Sequence, residues 1–116
     1  MTVYYSMTII NRTRSVVLSE NVKEAKTYKE KKLGLLGSDG KTGLFMKTRW
    51  GVHTFGMKFP TDVLILDTKN RVVRYKRNLQ PSRIFFWNPK HNQVIEIPTN
   101  LVGEETVEIG DEISIT

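Results

Sequence analysis

A mainly β (α+β) domain is what this sequence predicts: a small barrel-like or sandwich-like antiparallel fold with one substantial helix near residues 22–33. Three observations carry that expectation. Short apolar runs recur with turn residues between them, as where Val63-Leu64-Ile65-Leu66 meets Asp67-Thr68-Lys69-Asn70; many short strands joined by turns read this way. One stretch alone has helical spacing and ends on closely spaced glycines, Gly34 and Gly37. The 116 residues suit a single domain, residues 1–116, with one core.

In chain order, Val3 to Ile10 alternates and reads as a first strand, with Arg14 to Leu18 a short second one. Ser19 or Asn21 is placed to cap a helix through Ala25, Tyr28 and Lys32, which share one helical face. Gly34 and Gly37 can end it by taking up left-handed backbone. Gly43 to Met46 and Val52 to Met57 are short strand candidates. Val63 to Leu66 is apolar throughout, as a strand covered on both faces would be. In the turn that follows, Asp67 suits the first position and Asn70 tolerates positive φ, so Arg71 to Arg77 returns as the second arm of a hairpin. Strands at Val94–Ile97 and Val107–Ile115 complete the set.

Composition excludes several chemistries. With no cysteine there is no disulfide, thiol nucleophile or thiolate metal site. His53 and His91, the only histidines, are far apart with no acidic residue near either, so metal-ligand spacing is absent. No Gly-x-Ser-x-Gly elbow or phosphate-binding glycine motif occurs, and no cofactor is expected. No apolar run is long enough to span a membrane, and MTVYYSMTII lacks the basic start of a signal segment. A cytoplasmic location is the expectation. Charge is unevenly distributed: residues 40–95 carry eleven Lys/Arg against two Asp/Glu, while residues 96–116 carry six Asp/Glu and no Lys/Arg. Such polarity can steer an anionic partner or be neutralised within the chain.

The order of several motifs resembles the domain of unknown function 192 family, small domains of bacteria and archaea. Its carriers are Gly34-Leu35-Leu36-Gly37, Gly43-Leu44-Phe45, Phe55-Gly56-Met57-Lys58, Pro60-Thr61-Asp62, Arg71-Val72-Val73, Pro81, Glu96-Ile97-Pro98 and Gly110-Asp111-Glu112-Ile113. The likeness runs from about Ala25 to Ile115 and rests on the order of motifs, none of them specific alone. It implies a mostly β fold and no agreed activity. Gly56 and Ser38 stand where the family carries Trp and Arg, so a site shaped by that pair is altered here.

Three functions follow as expectations. The first is a non-enzymatic binding or accessory domain with a shallow site near the FGMKFPTD strip, lined by Phe55, Met57, Lys58 and Asp62, for a small polar ligand or a protein partner. Its geometry requires Phe55, Met57 and Phe59 to alternate on one face and Gly56 to leave space on the other. Asp62 opens a buried strand and must find partners there, with Lys58 the nearest cation in sequence. The second is a sequence-tolerant nucleic-acid binder using Arg71, Arg74, Lys76, Arg77 and Arg83, with Phe85, Phe86 and Trp87 close by for stacking. That reading requires exposed rings; buried rings and edge-protecting cations are the structural alternative. The third is a carboxylate-assisted hydrolase built on Asp62 and His53, for which no oxyanion device is legible.

Overall fold

The computed structural model describes residues 6–36, 40–49 and 51–116. Its strands are β1 (Met7–Asn11), β2 (Val16–Ala25), β3 (Gly43–Lys47), β4 (Val52–His53), β5 (Thr61–Leu66), β6 (Val72–Leu79), β7 (Ile84–Phe85), β8 (Gln93–Pro98) and β9 (Ile113–Ile115), with one helix, α1 (Tyr28–Leu33). Seven strands form one sheet in the order β6-β5-β8-β3-β2-β1-β9, while β4 and β7 pair as a separate ribbon. Within the large sheet every pairing is antiparallel except β2 with β3. The sheet curls until its outer strands approach. Val72 N–H donates to the Asp111 carbonyl (2.9 Å), and Ile113 N–H donates to that of Asn70 (2.8 Å). The expected mostly β, barrel-like architecture is the one observed.

Two apolar layers lie on opposite faces of the sheet. Leu64, Leu66, Ile95 and Ile97 point into the curl with Ile9 and Ile113. Val63, Ile65 and Val94 point outward, beneath Met46, Met57, Phe85 and Trp87. All six residues of β5 are buried, and the four of its apolar run, Val63 to Leu66, divide between the two layers. The hairpin turn also forms as read. Asp67 Oδ1 accepts the N–H groups of Lys69 and Arg71, each at 2.9 Å, and Asn70 adopts φ +59°.

The helix is shorter than expected. Residues 19–25 extend β2, and α1 has only six residues, beginning at Tyr28. The physical cause is a broken register. Met7 pairs with Val22, Ile9 with Ser19 and Ile10 with Val17, so β2 carries extra residues opposite β1. Bulges of this kind interrupt strict alternation, and buried Leu18, Val22 and Ala25 acquire a spacing that imitates a helix. The true start was legible in Thr27-x-x-Glu30. Thr27 Oγ1 accepts the Glu30 N–H (3.1 Å), while Glu30 Oε1 accepts that of Thr27 (2.9 Å), closing a capping box. Gly34, at φ +54°, ends the helix; Gly37 and Ser38 lie outside the described residues, as do Val3 to Tyr5 of the expected first strand.

Two other strands shorten. Val52–Met57 is a strand only at Val52 and His53, because Met57 N–H folds back to the Thr54 carbonyl (3.1 Å). Phe55, Met57 and Phe59 consequently do not alternate on a strand face. Of Val107–Ile115, only Ile113–Ile115 is extended. Strand β7, flanked by turns and two residues long, had not been expected.

Candidate functional site: a basic cavity beside the strip

The four residues expected to line a shallow site diverge. Asp62 is wholly buried on the inner face of β5. Its Oδ2 accepts from Tyr75 Oη (2.5 Å) and Arg77 Nη1 (3.2 Å); its Oδ1 accepts from Thr99 Oγ1 (2.6 Å) and the Asn78 N–H (2.9 Å). The partner of Asp62 is thus Arg77, not Lys58, since the β5–β6 hairpin brings residue 77 across to it. Burial, followed by donation to Asp62, pushes the Tyr75 hydroxyl up to about 12. Met57 belongs to the outer layer, Phe55 is 49% exposed against His53, and Lys58 faces solvent. Gly56 leaves no vacancy: it sits at φ +81°, and a Cβ there would come within 2.8 Å of Leu36 Cδ1. No hydrogen bond joins His53 to Asp62, whose four bonds all run to other residues.

The basic hairpin is largely committed to structure. Arg71 pairs with Asp67 (3.1 Å) and Arg77 with Asp62 (3.2 Å). The Arg74 guanidinium lies 5.0 Å from the centre of the Phe85 ring, a cation–π geometry. Phe85 and Trp87 are buried and Phe86 alone is exposed, at 65%. Val73 and Tyr75, two positions apart on β6, lie on opposite faces. A register shift opposite Ile65 and Leu66 turns Val73 to the outer layer, while Tyr75 packs inside. Lys76 and Arg83 remain exposed. The acidic end of the chain forms its ion pairs with Arg14, through Glu108 (2.6 Å) and Asp111 (2.8 Å).

Uncompensated positive charge collects elsewhere. A cavity of about 610 Å³ opens between α1, the end of β3 and the start of β4. Its described walls are Tyr28, Lys31 and Lys32 from the helix, Lys47, Thr48 and Arg49 leaving β3, Gly51, Val52 and His53 entering β4, and Asn92 before β8. No carboxylate is among them, and none of the four Lys/Arg residues forms an ion pair with a described residue. Lys31 and Lys32 occupy the last turn of α1, where cations also suit the helix dipole. Arg49 is fixed by neutral groups, donating to the carbonyls of Pro89 (2.8 Å) and Lys90 (3.4 Å), which leaves its charge unbalanced. The His53 ring is stacked on Phe55 with centroids 5.4 Å apart. His53, just before the strip, therefore lines the cavity, while Asp62 at the strip's end belongs to the core. Sequence reasoning missed Lys31, Lys32, Lys47 and Arg49; Lys31-Lys32 and Lys47-x-Arg49 were the only local signals. Among the described residues there is no cluster of three or more metal-ligating side chains, and no helix is long and apolar enough to cross a membrane.

A second unanticipated group is Glu96, in the middle of β8. It pairs across the sheet with Leu44 and Val63 and, like them, faces the outer layer. It is 6% exposed, and burial pushes its carboxyl up to about 7. A Cβ on Gly34 would lie 3.3 Å from Glu96 Oε2, so the glycine that ends α1 also covers this carboxyl. Thr61 Oγ1 is buried without a hydrogen-bond partner among the described residues.

Residues 9–115 match the model of the DUF192 family, described as Uncharacterized ACR, COG1430. The chain belongs to the DUF192 family. A UPF0127 protein of Thermococcus sibiricus is 30% identical over 112 residues, covering 90% of this chain and 72% of the relative. Among solved structures, a protein of unknown function from Novosphingobium aromaticivorans superposes with a TM-score of 0.77 at 17% identity, over 96% of this chain and 84% of that one. A candidate transcription regulator from Sinorhizobium meliloti 1021 gives 0.71 at 15% identity, over 99% and 98% of the two chains. At these identities the two structures show the fold alone.

Proposed function

We infer that this DUF192 domain is a non-enzymatic binding domain, and that its site is the basic cavity at the front of the strip, taking a small anionic ligand. One observation carries the reading: four Lys/Arg side chains from two separate segments line one cavity, and no carboxylate is among its described walls. Grouping like charges costs energy unless an anion offsets it, and a cavity wall strengthens the field by excluding solvent. The volume of about 610 Å³ falls within the range of small-molecule sites. Of the residues first expected to bind, Phe55 supports the site by bracing His53. Met57 and Asp62 hold the scaffold.

Binding of nucleic acid through the hairpin has less support. It could draw on Lys76, Arg83 and exposed Phe86, and one fold neighbour is described as a candidate transcription regulator. Against it stand the internal pairing of Arg71 and Arg77 and the burial of Phe85 and Trp87.

Calorimetric titration with tripolyphosphate at low salt tests the cavity. The expected result is saturable one-site binding, weakened at least about tenfold in Lys47→Glu/Arg49→Glu and retained in Arg74→Glu/Lys76→Glu. The opposite pattern would move the anion site to the hairpin, and unchanged binding in the cavity variant would exclude this reading.

A further inference from the structure

The cavity is built for more than charge. Besides its cations it is lined by two rings, Tyr28 and His53. Tyr28 stands first in α1 and is 81% exposed, and its hydroxyl forms no hydrogen bond with a described residue. A tyrosine so uncovered on a short helix does nothing for the core, because α1 buries none of its own residues. His53 is held differently. Phe55 stacks on it at 5.4 Å, and the Phe55 N–H lies 3.3 Å from Nδ1, so ring and nitrogen are both fixed. The walls also include Thr48 and Asn92, side chains able to donate or accept hydrogen bonds, and their segments are tied by the Thr48 N–H to Asn92 carbonyl bond (2.9 Å). A bare oxyanion needs neither rings nor this volume.

We propose that the ligand of this cavity is an anion bearing a flat aromatic ring, a nucleoside di- or triphosphate being the chemical class that fits. This rests on the anion-site reading above. In it, Lys31, Lys32, Lys47 and Arg49 hold the phosphate chain, while Tyr28 supplies a face for the base. Stacking is tolerant of which base is present, because every base has a π face. His53, braced by Phe55, closes the other aromatic wall. Purine and pyrimidine nucleotides therefore bind with similar affinity, and the phosphate chain supplies the salt-sensitive part.

The test compares ATP, CTP and tripolyphosphate by calorimetry on the intact chain and on two variants, Tyr28→Ala and Lys47→Glu/Arg49→Glu. Tyr28 is exposed, so its removal leaves the core untouched, and circular dichroism of each variant verifies the fold. ATP and CTP are expected to bind roughly tenfold tighter than tripolyphosphate, the order of one stacked base. Tyr28→Ala should remove that advantage and leave tripolyphosphate affinity unchanged. Equal affinities for all three, indifferent to Tyr28→Ala, would overturn the nucleotide assignment and leave the anion site standing. Failure of all three to bind the native chain would overturn both. A single-stranded oligomer of ten deoxyadenylates binding more than tenfold tighter than ATP, through the same two variants, would overturn the assignment to a free nucleotide and make the cavity part of a longer groove.

Discussion

Two buried carboxylates lie on adjacent strands and on opposite faces of one sheet, and they have been treated in opposite ways. Asp62, facing into the curl, receives four hydrogen bonds and the charge of Arg77. Glu96, facing outward, meets Leu44, Val63 and the backbone of Gly34, and burial raises its carboxyl to about 7. The lesson is that burial alone does not decide a carboxylate's state. Converging donors turn one buried carboxylate into a structural hub, whereas a carboxyl among apolar neighbours is favoured in its neutral form. The first ties β5 to β6 and Thr99 through four hydrogen bonds; the second makes stability fall as pH rises toward 7.

The sharpest way to break the comparison is Asp62→Ala. Removing the acceptor strands Tyr75, Thr99, Arg77 and the Asn78 N–H, and should cost about 3 kcal/mol or more in urea unfolding. A loss under about 1 kcal/mol would mean that water satisfies these donors and that the cluster is not a structural hub.

Glu96→Gln should have the next largest effect, one that grows as pH rises from 4.5 and is complete once pH has passed 7. The folded protein holds this carboxyl near 7, above its ordinary 4.5, so its contribution is fully present below pH 4.5 and disappears as pH rises through 7. Between those limits the native chain should lose up to ~3 kcal/mol relative to Glu96→Gln. Unfolding curves at pH 5, 6, 7 and 8.5 measure this, and parallel curves for the two proteins would show that Glu96 does not titrate near neutrality.

A smaller effect is expected for Gly34→Ala. The residue must keep φ +54° and place a Cβ 3.3 Å from Glu96 Oε2, for a loss of about 1–2 kcal/mol. If the crowding is real, part of that loss is recovered in a Glu96→Ala background, where only backbone strain remains. Additive losses in the double variant would show that Gly34 is needed for its φ alone.

Smallest is Tyr75→Phe, which deletes one donor to Asp62 and leaves three; about 1 kcal/mol is expected. In the native protein the Tyr75 hydroxyl should stay protonated through pH 10, because it is held up to about 12. Ultraviolet difference titration against Tyr75→Phe reads this directly.

Much of the fold was legible because its signals were local. The β5 run, the Asp67–Asn70 turn and the returning strand each depend on residues within a few positions of one another. The helix was half legible. Thr27 and Glu30 spelled out its true start, but bulges in β2 gave Leu18, Val22 and Ala25 a helical spacing, and spacing cannot reveal which neighbour resets the register. The need of Asp62 for partners followed from its place at a buried strand, yet their identity depended on which residues the hairpin set opposite it. Glu96 offered a signal that went unused, a lone acid within Val94-Ile95-Glu96-Ile97, where both faces of the strand are covered.

By itself the sequence determined the β-rich class, the central hairpin, the family resemblance and the excess of positive charge over residues 40–95, since all of these are properties of composition or of near neighbours. Tertiary structure alone decided which charges are compensated. Arg77 reaches Asp62 across a hairpin and Arg14 reaches Asp111 from the far end of the chain, while Lys31, Lys32, Lys47 and Arg49 converge from two segments on a cavity with no acid among its described walls. Coulomb interactions depend on distance through space, and that distance is set only when the sheet has curled.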